Sequence, residues 1–168
     1  MITTKINIKP HLAEYCYGKF SGCSRDPVRF PHKLDIYHTI WDLMQKRPVN
    51  CPMDTGNLEI ILPNSRKKDE FEKSKDPQVY NYLGERSARI IERQIEVSMF
   101  AELHDLLDDN KHMFGIDYKE TVFQFMSKYG LDSITEDALI KNFYRWRDVT
   151  RRKKLRRNYR KNLSDKVY

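Results

Sequence analysis

A predominantly α-helical α+β fold follows from three features of the sequence. Apolar residues recur at threes and fours through most of the chain, and only two short segments, Thr3 to Ile8 and Leu58 to Leu62, read as strands. The aromatic fraction of 12%, with ten Tyr and eight Phe, supplies the bulk for a packed core. At 168 residues the chain is long enough for a core that needs neither metal nor disulfide to hold it. The pattern divides into a small α+β unit at 1–63, a charged linker or loop at 64–77, a helical domain at 78–150 with a helix pair at 118–150, and a basic extension at 151–168.

In order, Thr3 to Ile8 alternates with Ile6 and Ile8 on one face, and Lys9-Pro10 closes the strand. Pro10 suits the first turn of a helix. Leu12, Tyr15, Cys16 and Phe20 follow at helical spacing, with Gly18 and Gly22 ending it. Turn residues dominate Ser21 to Pro31 and leave Val28 to Phe30 as a short extended piece. From His32 to Lys46, residues Leu34, Ile36, Tyr37, Ile40, Trp41, Leu43 and Met44 form one broad stripe, and Pro48 stops that helix. After a loop, Leu58 to Leu62 is the second strand, expected to pair with the first while the helices between them cover one sheet face. Two strands make a weak sheet, so a third piece at Val28 to Phe30 or later helices must support them.

Asn64 to Pro77 holds nine charged residues in fourteen, the composition of a surface linker and of a domain boundary. A phosphate-contacting patch through Arg66, Lys67 and Lys68 is weakened there by the acids that follow. Gly84 to Asp109 is the longest helical pattern, with Ile91, Ile95, Met99, Leu103 and Leu106 inward. Val97 and Phe100 broaden this stripe beyond the needs of one neighbour, which raises homodimerisation through the helix. Asp108 and Asp109 have the wrong sign for a helix C-terminus and predict a stop at or before Leu107.

Asp117 and Glu120 have the spacing of a helix start, Val122, Phe123, Met126 and Tyr129 form an inner face, and Gly130 closes the helix. Ser133 and Glu136 form a capping box for the next helix, with Thr135 as the competing cap, and Leu139, Ile140, Phe143 and Trp146 are its buried stripe. Two helices joined by a short Gly-containing turn, the second basic on its outer side, make the helix-turn-helix arrangement used in the major groove. In the tight form of that motif Glu136 would be buried. The pattern recovers if the second helix begins at Glu136.

Charge is concentrated at the end of the chain. Between Lys141 and Lys161 lie eleven Lys or Arg and one acid, Asp148, a net +10 in a chain whose total is +7. A nearly neutral body thus bears a strongly cationic end, which fits a polyanionic partner. With Leu139, Phe143 and Trp146 inward, Lys141, Asn142, Arg145 and Arg152 fall on the flanks and outer face. Asn142 suits adenine and Arg145 suits guanine, while Arg147 and Arg151 suit phosphates. Lys153, Lys154, Arg156, Arg157, Arg160 and Lys161 extend the phosphate-seeking run.

The segment from Tyr118 to Arg147, including FQFMSKYGLDSITEDALIKNFYRWR, resembles the C-terminal helix-turn-helix-like segment of small DNA-binding proteins of phages and mobile genetic elements. The resemblance covers thirty residues and rests on the ending FYRWR. It implies a DNA-binding role, as a regulator or accessory factor, with Asn142, Arg145 and Arg147 as contact candidates. The longer turn departs from the tightest form of the motif.

The function expected is therefore non-catalytic binding of double-stranded DNA, with no cofactor. RNA binding through the arginine-rich helix is the alternative, and a metal-dependent nuclease built on Asp105, Asp108 and Asp109 beside His104 ranks third. No glycine-rich phosphate loop, G-x-S-x-G or H-E-x-x-H motif is present. Cys16, Cys23 and Cys51 form no CxxC pair and read as free thiols in a reducing compartment rather than as a zinc site with His11 and His32. No apolar run is long enough for a membrane span, and the cytoplasm is the expected location.

Overall fold

A computed structural model describes residues 1–22, 24–52, 54–64 and 75–164, with side chains through 157. The expected patch at Arg66, Lys67 and Lys68, and Cys23 of the weighed zinc set, lie outside the described residues. Within them are five helices and one two-stranded sheet: β1 (Thr3–Ile6), α1 (Pro10–Phe20), α2 (Asp35–Leu43), β2 (Leu58–Ile61), α3 (Glu85–Phe114), α4 (Tyr118–Tyr129) and α5 (Glu136–Ser164). The fold is α+β and mainly helical, as the periodicities predict.

Strands β1 and β2 pair antiparallel with Thr3 opposite Ile61 and Ile6 opposite Leu58. β1 stops two residues earlier than the alternation predicts because the Asn57 side chain takes over the pairing at Ile8. Its Oδ1 accepts from Ile8 N at 3.0 Å and its Nδ2 donates to Ile8 O at 2.7 Å. Val28 supplies the third edge piece, donating its N–H to Glu59 O at 2.8 Å and accepting from Ile61 N at 2.9 Å. β2 therefore lies in the middle of the small sheet, which helps to stabilise a pair of four-residue strands.

Helix α1 runs through Gly18 instead of ending there. A Cβ at Gly18 would lie 2.4 Å from the Tyr129 carbonyl oxygen, so the missing side chain is what lets α1 and the end of α4 cross closely. Helix α2 is shorter at both ends than the stripe from His32 to Lys46 predicts. At its C-terminal end the backbone of Gln45 leaves the helix to exchange hydrogen bonds with Tyr82, at 3.0 and 3.1 Å. The freed carbonyls are met by Lys75, whose ammonium donates to the oxygens of Trp41, Asp42 and Met44 at 3.0, 2.8 and 3.2 Å.

Helix α3 passes the expected stop at Leu107 and continues to Phe114, where Gly115 adopts a left-handed φ of 67°. Lys111 and His112 in the last turn offset the effect of Asp108 and Asp109 on the dipole. Tertiary contacts fix the extra turns: Asn110 Nδ2 donates to Thr121 Oγ1 at 3.2 Å, and Lys111 pairs with Asp117 at 3.0 Å. On α4 the inner face is Thr121, Val122, Phe125 and Tyr129, so Phe123 is not inward as expected but 56% exposed.

The buried residues of 1–63 and of 78–143 form one hydrophobic cluster that includes Ile6, Leu12, Ile40, Leu58, Ile91, Met99, Phe125 and Phe143. The charged segment therefore does not separate two cores. At the junction of α1, α3 and α4 stands Glu102. Its carboxylate accepts hydrogen bonds from Tyr15 OH at 2.7 Å and from the hydroxyl of Tyr129, and pairs with Lys19. Burial alone would raise the Glu102 carboxyl, but the bonds from Lys19, Tyr129 and Tyr15 outweigh it and hold its pKa below the ordinary glutamate range.

Candidate nucleic-acid interface

The candidate surface begins at the turn between α4 and α5. Gly130 ends α4 with a left-handed φ of 63°, and Leu131 is buried beside it. Ser133 does not cap α5. Its N–H and hydroxyl, with the Asp132 N–H, all donate to one oxygen of Glu14 on α1, at 3.1, 2.8 and 3.0 Å. Thr135 is the cap instead, its hydroxyl accepting from Ala138 N at 3.3 Å, and α5 starts at Glu136. The turn is thus longer than in the tight motif, and Glu136 stays exposed.

Helix α5 is one element of 29 residues, about 44 Å long at 1.5 Å per residue. Leu139 and Phe143 are fully buried and hold its first half on the body. Trp146, expected on the buried stripe, is 37% exposed, with its ring 4.5 Å from that of His104. From Arg151 to Arg157 every residue is exposed.

Two of the sequence-predicted contact residues are engaged by the fold. Asn142 is half-buried, and its Oδ1 lies 2.9 Å from His104 Nε2, which donates to the amide oxygen. Burial lowers the His104 pKa, and the opposing effects of Asn142, Asp105 and Asp108 do not restore it. Arg147 donates through Nη1 to Tyr118 OH at 3.1 Å, and its guanidinium stands 4.9 Å from the Tyr144 ring centre and 5.6 Å from that of Phe143. Each side chain thus has one group engaged internally, the amide oxygen of Asn142 by His104 and an Nη1 hydrogen of Arg147 by Tyr118. A lone His at 104 gave no hint of this in the sequence, because its partner lies 38 positions away.

The remaining candidates are presented outward. Lys141, Arg145, Arg151, Arg152, Lys153, Lys154, Arg156 and Arg157 are exposed, and among the described residues none forms an ion pair with a carboxylate. The side chains of Arg160 and Lys161 lie beyond those described, although the helix continues through both. At about 100° per residue, Lys141, Arg145, Asp148, Arg152 and Arg156 share the stripe opposite Leu139 and Phe143. That stripe is about 22 Å long and has four cations and one acid. The leading end of α5 has the opposite sign, with Glu136 and Asp137 both exposed.

No protein-family model, curated protein or solved structure matches this chain. Among the described residues no group of three or more His, Cys, Asp or Glu is placed to hold a metal ion, and no helix is long and apolar enough to cross a membrane.

Proposed function

We propose that this chain binds double-stranded DNA without catalysing its cleavage, and that α5 is the element presented to the duplex. The observation that supports this reading is the projecting half of α5, helical to Ser164 and exposed and densely cationic from Arg151 to Arg157. A helix-turn-helix reads bases with the first residues of its second helix, and here those residues are acids that a duplex would repel. The better docking mode is a continuous basic helix lying along the major groove, as in the basic regions of zipper proteins. Arg145 is then the base-reading candidate nearest the body, and Arg151 to Arg157 meet phosphates and release counterions. A role as a regulator or accessory factor of a phage or mobile element follows from the sequence resemblance, and the cytoplasm is the compartment that suits such a partner.

Titration against matched duplex DNA, duplex RNA and single strands at two salt concentrations tests the reading. Duplex DNA is expected to bind most tightly, with affinity falling steeply as salt rises. Tighter binding to RNA than to DNA transfers the function to structured RNA.

A further inference from the structure

A row of three aromatic rings lies where α3 faces the first half of α5. Phe100 and His104 have ring centres 6.0 Å apart and planes 30° from parallel, and His104 and Trp146 are 4.5 Å apart at the same angle. These rings line an open groove of about 510 Å³, within the size range of small-ligand sites, whose apolar wall is Val97 and Ala101 of α3 and Val149 of α5. Trp146 is 37% exposed, Val149 48% and Val97 53%, so the groove is accessible from solvent.

The unpaired charge around it is positive. Glu96, the one acid in the lining, is held by Lys9 and by Arg93, each at 2.7 Å. Arg145, at the lip, forms no ion pair among the described residues. Past the groove the same flank of α5 turns cationic: Lys153 follows Trp146, and Arg156 follows Val149, by seven residues, and both are exposed. Seven residues are two turns, about 10 Å. A fitting ligand therefore has a flat apolar face for the ring row and negative charge on the side of the track. An acidic peptide has the charge, but a row of nearly parallel rings is best extended by another planar ring. Nucleic acid offers both, although inside a duplex each base face is covered by its neighbours. Only an unpaired base has a face free to enter.

We propose that the groove takes one unpaired nucleobase of the bound DNA, stacked on Trp146, while the phosphates of that strand run over Lys153 and Arg156. This rests on the DNA-binding reading and narrows it to a duplex that carries an unpaired or overhanging base. Every base has a face to stack, so the groove selects DNA structure rather than sequence.

The test titrates the full chain with a blunt duplex, the same duplex with a short single-stranded overhang, that overhang made abasic, and the free single strand. Indole fluorescence is followed throughout. Trp41, the other indole of the chain, is 4% exposed, so quenching reports Trp146. The overhanging duplex is expected to bind roughly tenfold more tightly than the blunt and abasic forms and to quench the indole. Trp146→Ala should abolish this preference and Trp146→Phe, which keeps a stacking ring, should retain most of it, with circular dichroism checking the fold of each. Equal binding of the three duplexes by the wild type without quenching, or a preference that survives Trp146→Ala, overturns the proposal. The DNA-binding reading then stands, and the groove is left to an apolar segment of a partner protein. A free single strand that quenches the indole and binds more tightly than the blunt duplex supports the groove and overturns the duplex reading. Binding to none of the four DNAs overturns both.

Discussion

Glu102 joins three helices through one carboxylate, and its charge is the source of a pH dependence. Its folded pKa lies below the unfolded value, so it contributes stability in full above the ordinary glutamate range and loses it as pH falls through the folded pKa. Thermal stability of the wild type should therefore fall on acidification below about pH 4.3, and Glu102→Gln should be less stable at neutral pH with a flatter acid limb. A second contrast separates Asn142 from Arg145. Asn142→Ala leaves the buried His104 without its hydrogen-bond partner and should cost about 1–3 kcal/mol of stability, read by denaturant unfolding, while sequence preference stays the same. Arg145→Ala should leave stability within about 0.5 kcal/mol and, if it makes a bidentate base contact, cost about 1–3 kcal/mol at the cognate base in a binding assay.

Helices meet in this fold at places where side chains are missing or carboxylates bridge. Gly18→Ala should destabilise the chain by about 1–3 kcal/mol in urea unfolding, because its Cβ collides with the Tyr129 backbone, which cannot move without shifting α4. The existence and order of the helices were legible in their apolar periodicity, and the β1–β2 pairing in their alternation. Element ends were less legible. The early end of α2 depends on Gln45 meeting Tyr82, and the late end of α3 on Asn110 and Lys111 meeting Thr121 and Asp117, and none of these pairings leaves a mark on the local sequence.

Across the whole molecule, the separation of a nearly neutral body from a cationic helix lets affinity be altered without touching the core. Neutralising Arg156 and Arg157 together should leave the melting temperature unchanged, since both are fully on the exposed half of α5. It should lower affinity on every DNA sequence and, with two fewer phosphates neutralised, reduce the slope of log affinity against log salt by about 1.8. Equal losses from this change and from Arg145→Ala on all sequences would mean that α5 has no base-reading position.

The sequence by itself determined the helical α+β class, the inward faces of most helices and the position of the charge, and it left Ser133 and Thr135 as competing caps for α5. These are properties of composition and of spacing within one element, where neighbours along the chain are neighbours in space. Only the tertiary structure decided which polar side chains of α5 are free. Asn142 and Arg147 have the right chemistry for DNA, but His104, 38 positions away, engages the Asn142 amide oxygen, and Tyr118, 29 positions away, engages one N–H of Arg147. The availability of a side chain depends on what packs beside it, and a helical wheel records only its own helix.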